Sequence, residues 1–212
     1  YIMGNTHYDF LSESAGTIAG DVAGNAQYFK KLRFSVTGDL FPNPNQKPFF
    51  TASGTQTDDG AQSLRTNPAW FHNRLDQAVS QAYSADLIMD IILAGADAFD
   101  ARETLKALGN NGDPTPFLKY IAARYGAYPN VWICLANEYD IKNPSYTTAE
   151  IRSFGEIIRQ YLPFPTPVSV HPDSGTGWQT GLNTNPMWAT HKIIQSKDKT
   201  LASGASPVSA NY

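Results

Sequence analysis

The sequence predicts an α/β fold of the (β/α)8 TIM-barrel type, incomplete, with five or six strands in this chain. Predicted strands alternate with predicted helices, which favours right-handed βαβ units and a parallel sheet. Polar or charged residues follow nearly every strand, and an active site ringed by strand ends is a feature of a barrel. An open doubly wound sheet also fits the alternation. The first strand, however, leads into GNTHYD and not into a glycine-rich phosphate loop, which favours the barrel.

Each predicted strand is a short run of apolar residues that ends at turn-forming or polar residues. These runs cover residues 1–4, 33–36, 87–93, 131–136 and 167–170, with a weaker candidate at 189–195. The run at 131–136 lies between Pro-Asn and charged residues, as in a strand that is buried on both faces.

The predicted helices show helical spacing of apolar residues or a clear start signal. They cover residues 22–32, 68–83, 116–125 and 147–161. Pro68 suits the first turn of its helix, and Thr147 or Thr148 would cap the last one. The helix ending at residue 32 runs directly into a strand, which indicates a deletion or residues absent from the sequence. Residues 38–68 are rich in Pro, Gly, Asn, Asp and Thr and predict a functional surface loop.

Length allows one or two domains, and we expect a single, partial barrel domain, residues 1–212, with the composition of a soluble globular protein. The net charge is −3 without a basic stripe, so we expect no nucleic-acid partner. No membrane span or signal peptide is visible, and the oligomeric state is not predicted. The 11 Tyr, 11 Phe and 4 Trp suit an uncharged, hydroxyl-rich ligand or, equally, a packed core. The single cysteine, Cys134, excludes an internal disulfide and is expected to be a buried inert thiol.

Asn137 and Glu138 are the first candidates for a catalytic pair. They follow the apolar run at 131–136, and a barrel keeps its chemistry at the carboxyl ends of its strands. Glu138 could instead be a capping or salt-bridging carboxylate at the end of a strand.

Three segments resemble a known family of enzymes. LANEYD at 135–140 is similar to the end of the fourth strand in retaining glycoside hydrolases of clan A, in particular apiosidase-like and endoglucanase-type proteins. FHNRLDQAVSQAYSADLIMDIIL at 71–93 resembles their third helix–strand unit. HPDSGTGW at 171–178, with NPMWATHKIIQS at 185–196, resembles their fifth- and sixth-strand region. The resemblance covers most of the chain.

The resemblance implies a two-carboxylate mechanism. Glu138 matches the general acid/base, and Asn137 matches the residue that hydrogen-bonds the substrate 2-hydroxyl. The second acid, a nucleophilic Glu, ordinarily ends the seventh strand, and no residue here replaces it. The chain thus looks like a barrel cut before that strand. The resemblance also implies a carbohydrate substrate, no cofactor, and a secreted or periplasmic location.

Further candidate residues lie at other strand ends. His7, Tyr8 and Asp9 resemble a substrate-binding segment of the family, although loop packing explains them equally well. His171 could contact sugar or hold Glu138 in place. Trp178, in the glycine-rich SGTGWQTG loop, is a candidate stacking platform.

The remaining candidates are three tryptophans, which have possible packing roles, and two charged residues. Trp70 and Trp132 are expected to pack, and Trp188 is an equal candidate for the core. Arg33 or Asp39 could orient a catalytic carboxylate.

Two other functions compete with the hydrolase. A metal-dependent hydrolase on the same barrel could use His7, Asp9, His171 and Asp173, but the His-x-His spacing of such sites is missing. The absent second carboxylate also fits a non-catalytic carbohydrate-binding barrel or an inactive fragment.

Overall fold

A computed structural model of the chain describes residues 2–36, 46–58, 65–95, 105, 113–141, 145–173, 177–182 and 187–193. Its strands are β1 (Gly4–Thr6), β2 (Lys31–Ser35), β3 (Phe49–Phe50), β4 (Gln56–Thr57), β5 (Arg65–Thr66), β6 (Ile88–Ala94), β7 (Val131–Asn137) and β8 (Val168–His171). Its longer helices are α1 (Ala15–Tyr28), α2 (Pro68–Phe71), α3 (Gln77–Ser84), α4 (Thr115–Tyr125) and α5 (Thr148–Tyr161). A π-helical turn, His72–Asp76, joins α2 to α3, and short 3-10 helices cover Phe10–Ser12 and Thr180–Leu182.

The main sheet has the strand order of a barrel. Five parallel strands lie in the order β1-β2-β6-β7-β8, so each strand pairs with the previous strand of this sheet along the chain. A doubly wound sheet instead reverses its strand order at a switch point. The fold is therefore an incomplete (β/α)8-type barrel in the described residues, as predicted.

Residues alternate between the two faces of this sheet. Leu32, Ile91 and Ile133 belong to the buried core that the helices cover. Arg33 and Asp90, which are register partners, lie on the opposite face and pair with each other. In a closed barrel that opposite face would be the interior. The strand pattern thus separates an apolar outer core from a polar inner network.

The first two elements differ from the prediction. The first strand is Gly4–Thr6, not 1–4, because Asn5 and Thr6 pair with Leu32 and Arg33. The helix predicted at 22–32 begins at Ala15, where Ser14 caps it, and ends at Tyr28 because Phe29 is extended. Only two residues then precede Lys31, the first residue of β2. Such a connection is ordinary in length, so no deletion is needed to explain this join.

The strand predicted at 189–195 is wrong for the residues that are described, 189–193, which form no strand. Thr190 does lie beside β8, and its amide donates to the Val168 carbonyl over 2.8 Å. The Val168 amide, however, donates to the Thr190 hydroxyl. A side chain therefore takes the place of a backbone acceptor, and no regular ladder forms.

Part of the predicted loop at 38–68 is ordered structure. Strands β3, β4 and β5 form a small antiparallel sheet in the order β4-β3-β5. Phe49 is buried and packs edge-on against Phe117, with ring centroids 5.6 Å apart. The segment is thus anchored to the core, while 37–45 and 59–64 lie outside the described residues.

Among the residues described, no helix is both long and apolar enough to cross a lipid bilayer.

Candidate active site

The candidate site lies where β7 ends. The pairing of β7 with β8 is irregular between Cys134 and Asn137, and Glu138 has a φ of 46°. A left-handed backbone is uncommon for a residue other than glycine, and such strain clusters at functional sites. The Tyr139 amide donates to the His171 carbonyl over 3.2 Å, which ties this turn to the end of β8. The irregular pairing and the turn place Asn137 and Glu138 at the carboxyl end of the sheet.

Asn137 is buried, with 1% of its surface exposed. Its Oδ1 accepts a 2.8 Å hydrogen bond from the Arg33 guanidinium. The same oxygen contacts Nδ1 of His171, its register partner on β8. Residues from β2, β7 and β8 therefore meet at one amide oxygen.

Arg33 forms an ion pair with a buried acidic residue, Asp90, which also pairs with Lys31. Asp90 is 1% exposed. Its Oδ2 lies 3.4 Å from a guanidinium nitrogen of Arg33 and 3.1 Å from Nζ of Lys31. Burial alone would lower the pKa of Arg33, but nearby Cys134, Asp90 and Tyr8 outweigh it and raise that pKa. Arg33 thus stays cationic in the interior, where only paired charges are tolerated.

Cys134 lies beside this network and is fully buried. Burial raises the pKa of its thiol, and Arg33 approaches its sulfur to 3.3 Å. A buried, protonated thiol is a poor nucleophile, which confirms the prediction of a buried free cysteine.

The pKa of His171 is lowered from 6.5 to about 4. Burial is the main cause and the charge of Arg33 is the second, whereas Asp90, Asp140 and Asp173 oppose the change. The ring is therefore neutral near pH 7. The hydrogen bond of His171 goes to Asn137, so the structure gives this residue a different neighbour from the Glu138 carboxylate that the sequence indicated.

The Glu138 side chain is half-buried. Among the described residues its carboxylate has neither a hydrogen-bond partner nor an ion-pair partner. A capping or salt-bridging role would require such a partner. This observation favours a carboxylate that is available to a ligand.

The first-strand residues have different surroundings. His7 Nε2 lies 2.8 Å from Asp9, and His7 Nδ1 lies 3.1 Å from Asp21 of α1. Both ring nitrogens thus have carboxylate neighbours, which favours loop packing for His7. Tyr8 is close enough to Arg33 to affect the pKa of that residue. Tyr8 therefore adjoins the Arg33 network, and the His7 amide donates to the Arg33 carbonyl over 2.8 Å.

The four metal ligands that the sequence offered, His7, Asp9, His171 and Asp173, do not form one cluster in the described residues. One ligand atom each from His7, Asp9 and Glu13 lies within 4.8 Å of the others. His171 contacts Asn137 instead, and the Asp173 amide donates to Asp140. Among the described residues, His171 and Asp173 are not part of the group formed by His7, Asp9 and Glu13.

Trp178 is partly buried and stacks on Trp188, with centroids 6.2 Å apart and ring planes inclined by 28°. Trp188 is 2% exposed and donates from its indole nitrogen to the Leu182 carbonyl over 2.9 Å. The core position considered for Trp188 is thus confirmed. One face of Trp178 is used in this stack, so a sugar would have to bind its other face.

Trp70 and Trp132, which are both predicted to pack, differ in how deeply they are buried. Trp70 is fully buried, as predicted. Trp132 is half-buried on the inner face of the sheet, where it adjoins the His191 ring and the Lys31 ammonium.

The sequence interpretation missed the partners of Arg33. The side chain of Arg33 binds the Asn137 amide and pairs with the Asp90 carboxylate, and its role in orienting a catalytic carboxylate stays a prediction. A signal was present, because Asp90 is the one charged residue in the apolar strand β6 and a buried charge needs a partner. Asp39 lies outside the described residues.

Two cavities lie at the opposite end of the sheet. The larger, about 360 Å³, is lined by 126–129, Val131 and 164–167. The smaller, about 200 Å³, is lined by residues that include Ile88 and Asn130. Both adjoin the amino ends of strands, whereas barrel chemistry occupies the carboxyl ends, so neither belongs to the candidate site.

The fold resembles those of solved glycoside hydrolases. A candidate glycoside hydrolase from Bacteroides vulgatus has a TM-score of 0.69 and 21% identity, over 95% of this chain and 40% of its own. A glycoside hydrolase family 5 protein from the same organism has a TM-score of 0.61 and 12% identity, over 92% and 40%. The endo-1,4-β-mannanase from Rhizomucor miehei has a TM-score of 0.59 and 13% identity, over 82% and 57%.

The chain thus spans 40% of the length of the first two of these structures. A search of curated proteins found no match. Residues 25–210 match the family described as "Apiosidase-like, catalytic domain". Because this match covers most of the 212 residues, the chain belongs to the Apiosidase-like catalytic domain family.

Proposed function

We propose that this protein is a glycoside hydrolase that cleaves O-glycosidic bonds in a poly- or oligosaccharide, with Glu138 as the general acid/base. The observation that carries the proposal is the position of its carboxylate. Glu138 follows the last residue of β7 in a left-handed turn. Among the described residues its carboxyl group has no polar partner, which supports a role in protonating a glycosidic oxygen when the group carries a proton.

Asn137 supports this role through the orientation of its amide. Its oxygen is occupied by Arg33 and His171, which leaves the Nδ2 hydrogens for a substrate hydroxyl beside the reactive carbon. Hydrogen bonds to the 2-hydroxyl that strengthen in the transition state contribute several kcal/mol to glycoside cleavage.

His7, Tyr8, Asp9, His171 and Trp178 are proposed as substrate-binding residues at the same edge. Tyr8 and His171 have the stronger support, since both adjoin Arg33. Trp178 would offer one ring face to an apolar sugar face.

The full mechanism needs a second carboxylate. A nucleophile about 5–5.5 Å from the acid would give retention of configuration, as in clan A, whereas a wider separation would give inversion. We propose retention from the family alone and assign no described residue as the nucleophile. The resemblance also supports a role in polysaccharide degradation and a secreted or periplasmic location.

The test uses the whole protein with Glu138→Gln and, as the matched control, Glu156→Gln. Glu156 lies on α5, and its only ion pair among the described residues is a 4.0 Å contact with Arg152. Substrates are aryl glycosides with good and poor leaving groups, including apiosides and mannosides, together with mannan. General acid catalysis is worth about 10²–10⁴-fold. We expect Glu138→Gln to lose activity on that scale with poor leaving groups and much less with good ones, and Glu156→Gln to match the parent.

The outcome separates the hydrolase from its rivals. A non-catalytic carbohydrate-binding barrel predicts no turnover by the parent and sugar binding that Glu138→Gln leaves unchanged. A metal-dependent hydrolase predicts activity that a chelator removes. Equal activity of Glu138→Gln and the parent on poor leaving groups would remove Glu138 from the mechanism.

A further inference from the structure

The donor and acceptor roles at Asn137 are fixed by its neighbour Arg33. A guanidinium carries only donors, while an asparagine amide presents an oxygen acceptor on one side and an NH₂ donor on the other. The contact of 2.8 Å is therefore favourable only when the oxygen faces Arg33. The reversed amide would set two donors against each other in a buried site.

The orientation of Asn137 in turn fixes the tautomer of His171. Nδ1 of His171 faces the same amide oxygen, which can only accept, so Nδ1 must carry a hydrogen. A neutral imidazole carries one hydrogen, and its other nitrogen then has a lone pair. The lowered pKa of His171, about 4, agrees with a neutral ring near pH 7.

Two complementary polar atoms are left at this edge of the sheet. Within the part of the chain that the structure describes, neither Nε2 of His171 nor Nδ2 of Asn137 has a hydrogen-bond partner. His171 is half-buried, whereas Asn137 is 1% exposed. An acceptor on His171 and a donor on Asn137 both match sugar hydroxyls, each of which can donate or accept.

We infer that Arg33 is a positioning residue that, through Asn137, holds His171 as the Nδ1–H tautomer and so presents Nε2 as a hydrogen-bond acceptor to a sugar hydroxyl. This inference rests on the proposed function. It names the substrate class as glycosides with a free hydroxyl next to the one that Asn137 binds. A glycoside that is deoxygenated or O-methylated at that neighbouring position would lose the interaction.

The tautomer is tested directly by ¹⁵N NMR of the whole protein with ¹⁵N-labelled histidine. The His171→Asn variant assigns the His171 signals among the four histidines. We expect a protonated Nδ1 and an unprotonated Nε2 in the parent. In Arg33→Met the amide is free to reverse, so we expect the Nε2–H form to become populated. A parent ring protonated on Nε2 would overturn the inference even if Arg33→Met fails to fold, and an unchanged tautomer in folded Arg33→Met would remove Arg33 from it.

The acceptor role is tested by kinetics with deoxy substrates. The variant His171→Asn keeps a donor near Asn137 but has no acceptor at the position of Nε2. A neutral hydrogen bond contributes about 0.5–1.5 kcal/mol, so we expect the parent to lose up to about tenfold in kcat/KM on the matching deoxy glycoside. His171→Asn should lose a similar factor on the ordinary glycoside and nothing more on the deoxy one. Equal further losses in both proteins would contradict the contact, while activity lost in Glu138→Gln would still support the proposed function.

Discussion

The Arg33 guanidinium donates to Oδ1 of Asn137 over 2.8 Å, although the two residues are 104 positions apart in the chain. Strand β6 lies between their strands, and its Asp90 is the register partner of Arg33 on one side and of Trp132 on the other. The long arginine side chain crosses β6 on the inner face of the sheet and pairs with Asp90 on the way. The contact therefore links the order of three strands to the orientation of one amide at the candidate site.

Replacing Arg33 by methionine should destabilise the protein. Removal of one partner from a buried ion pair costs about 3–5 kcal/mol, and Lys31 would still partly neutralise Asp90. We therefore expect a loss of about 3 kcal/mol in the free energy of unfolding, measured by chemical denaturation. Lys30→Met is the control because the Lys30–Asp86 pair is exposed and should contribute little. Equal stability of Arg33→Met and the parent would show that the buried network does not stabilise the fold.

The free energy of unfolding should fall as the pH drops from about 6.5 to about 4. In this range His171 binds a proton in the unfolded protein but not in the folded one. The pKa of this ring is about 4 in the folded protein and 6.5 ordinarily. Between these values the unfolded state holds the extra proton, so lower pH favours unfolding. One unit of difference in pKa corresponds to about 1.36 kcal/mol, and partial exposure weakens the effect. We expect His171 to account for a loss of about 2 kcal/mol from about pH 7 to about pH 4.

The control for this prediction is His171→Asn, measured by denaturation across the same pH range. Burial also lowers the pKa of His191, so the parent curve contains both rings, and the difference between the two proteins isolates His171. Parallel curves for parent and variant would contradict a depressed pKa.

Substitutions at two helical glycines should have opposite signs. A methyl group at Gly155 of α5 would overlap the Trp188 ring, and overpacking a core typically costs about 1–3 kcal/mol. Gly20 of α1 has open space around its added methyl group, so alanine there should stabilise by about 0.5–1 kcal/mol. Thermal denaturation of Gly155→Ala and Gly20→Ala tests both. A stabilised Gly155→Ala would mean that Trp188 does not pack on α5 as described.

The sequence was most informative where local signals agree with the tertiary structure. Strand β7 follows from its apolar run, and α5 begins at the capping residue Thr147, which forms a capping box with Glu150. The sequence places helix α1 too late in the chain, because the helix has little apolar periodicity and buries only Ile18 and Val22. The signal for its start was the capping residue Ser14.

The candidate site could be predicted only in part for a related reason. Asn137 and Glu138 are adjacent, so one motif reveals both. The contacts of Asn137 with Arg33 and His171 depend on the registers of separate strands and on the irregular pairing near the end of β7, which no local pattern encodes. The left-handed turn at Glu138 also lacks a sequence signal, because glycine and asparagine are the residues usually expected there.

The most direct test of the central claim is azide rescue of Glu138→Ala in the whole protein, assayed on an aryl glycoside with a good leaving group. Loss of the general base should slow breakdown of a glycosyl-enzyme, and azide fits the space left by the carboxylate and needs no base to react. The proposed role predicts that azide raises the turnover rate of this variant, but not of the parent, and that a glycosyl azide of retained configuration is formed. A variant that is as active as the parent without azide, or that forms no glycosyl azide in its presence, would contradict the assignment of Glu138 as the general acid/base.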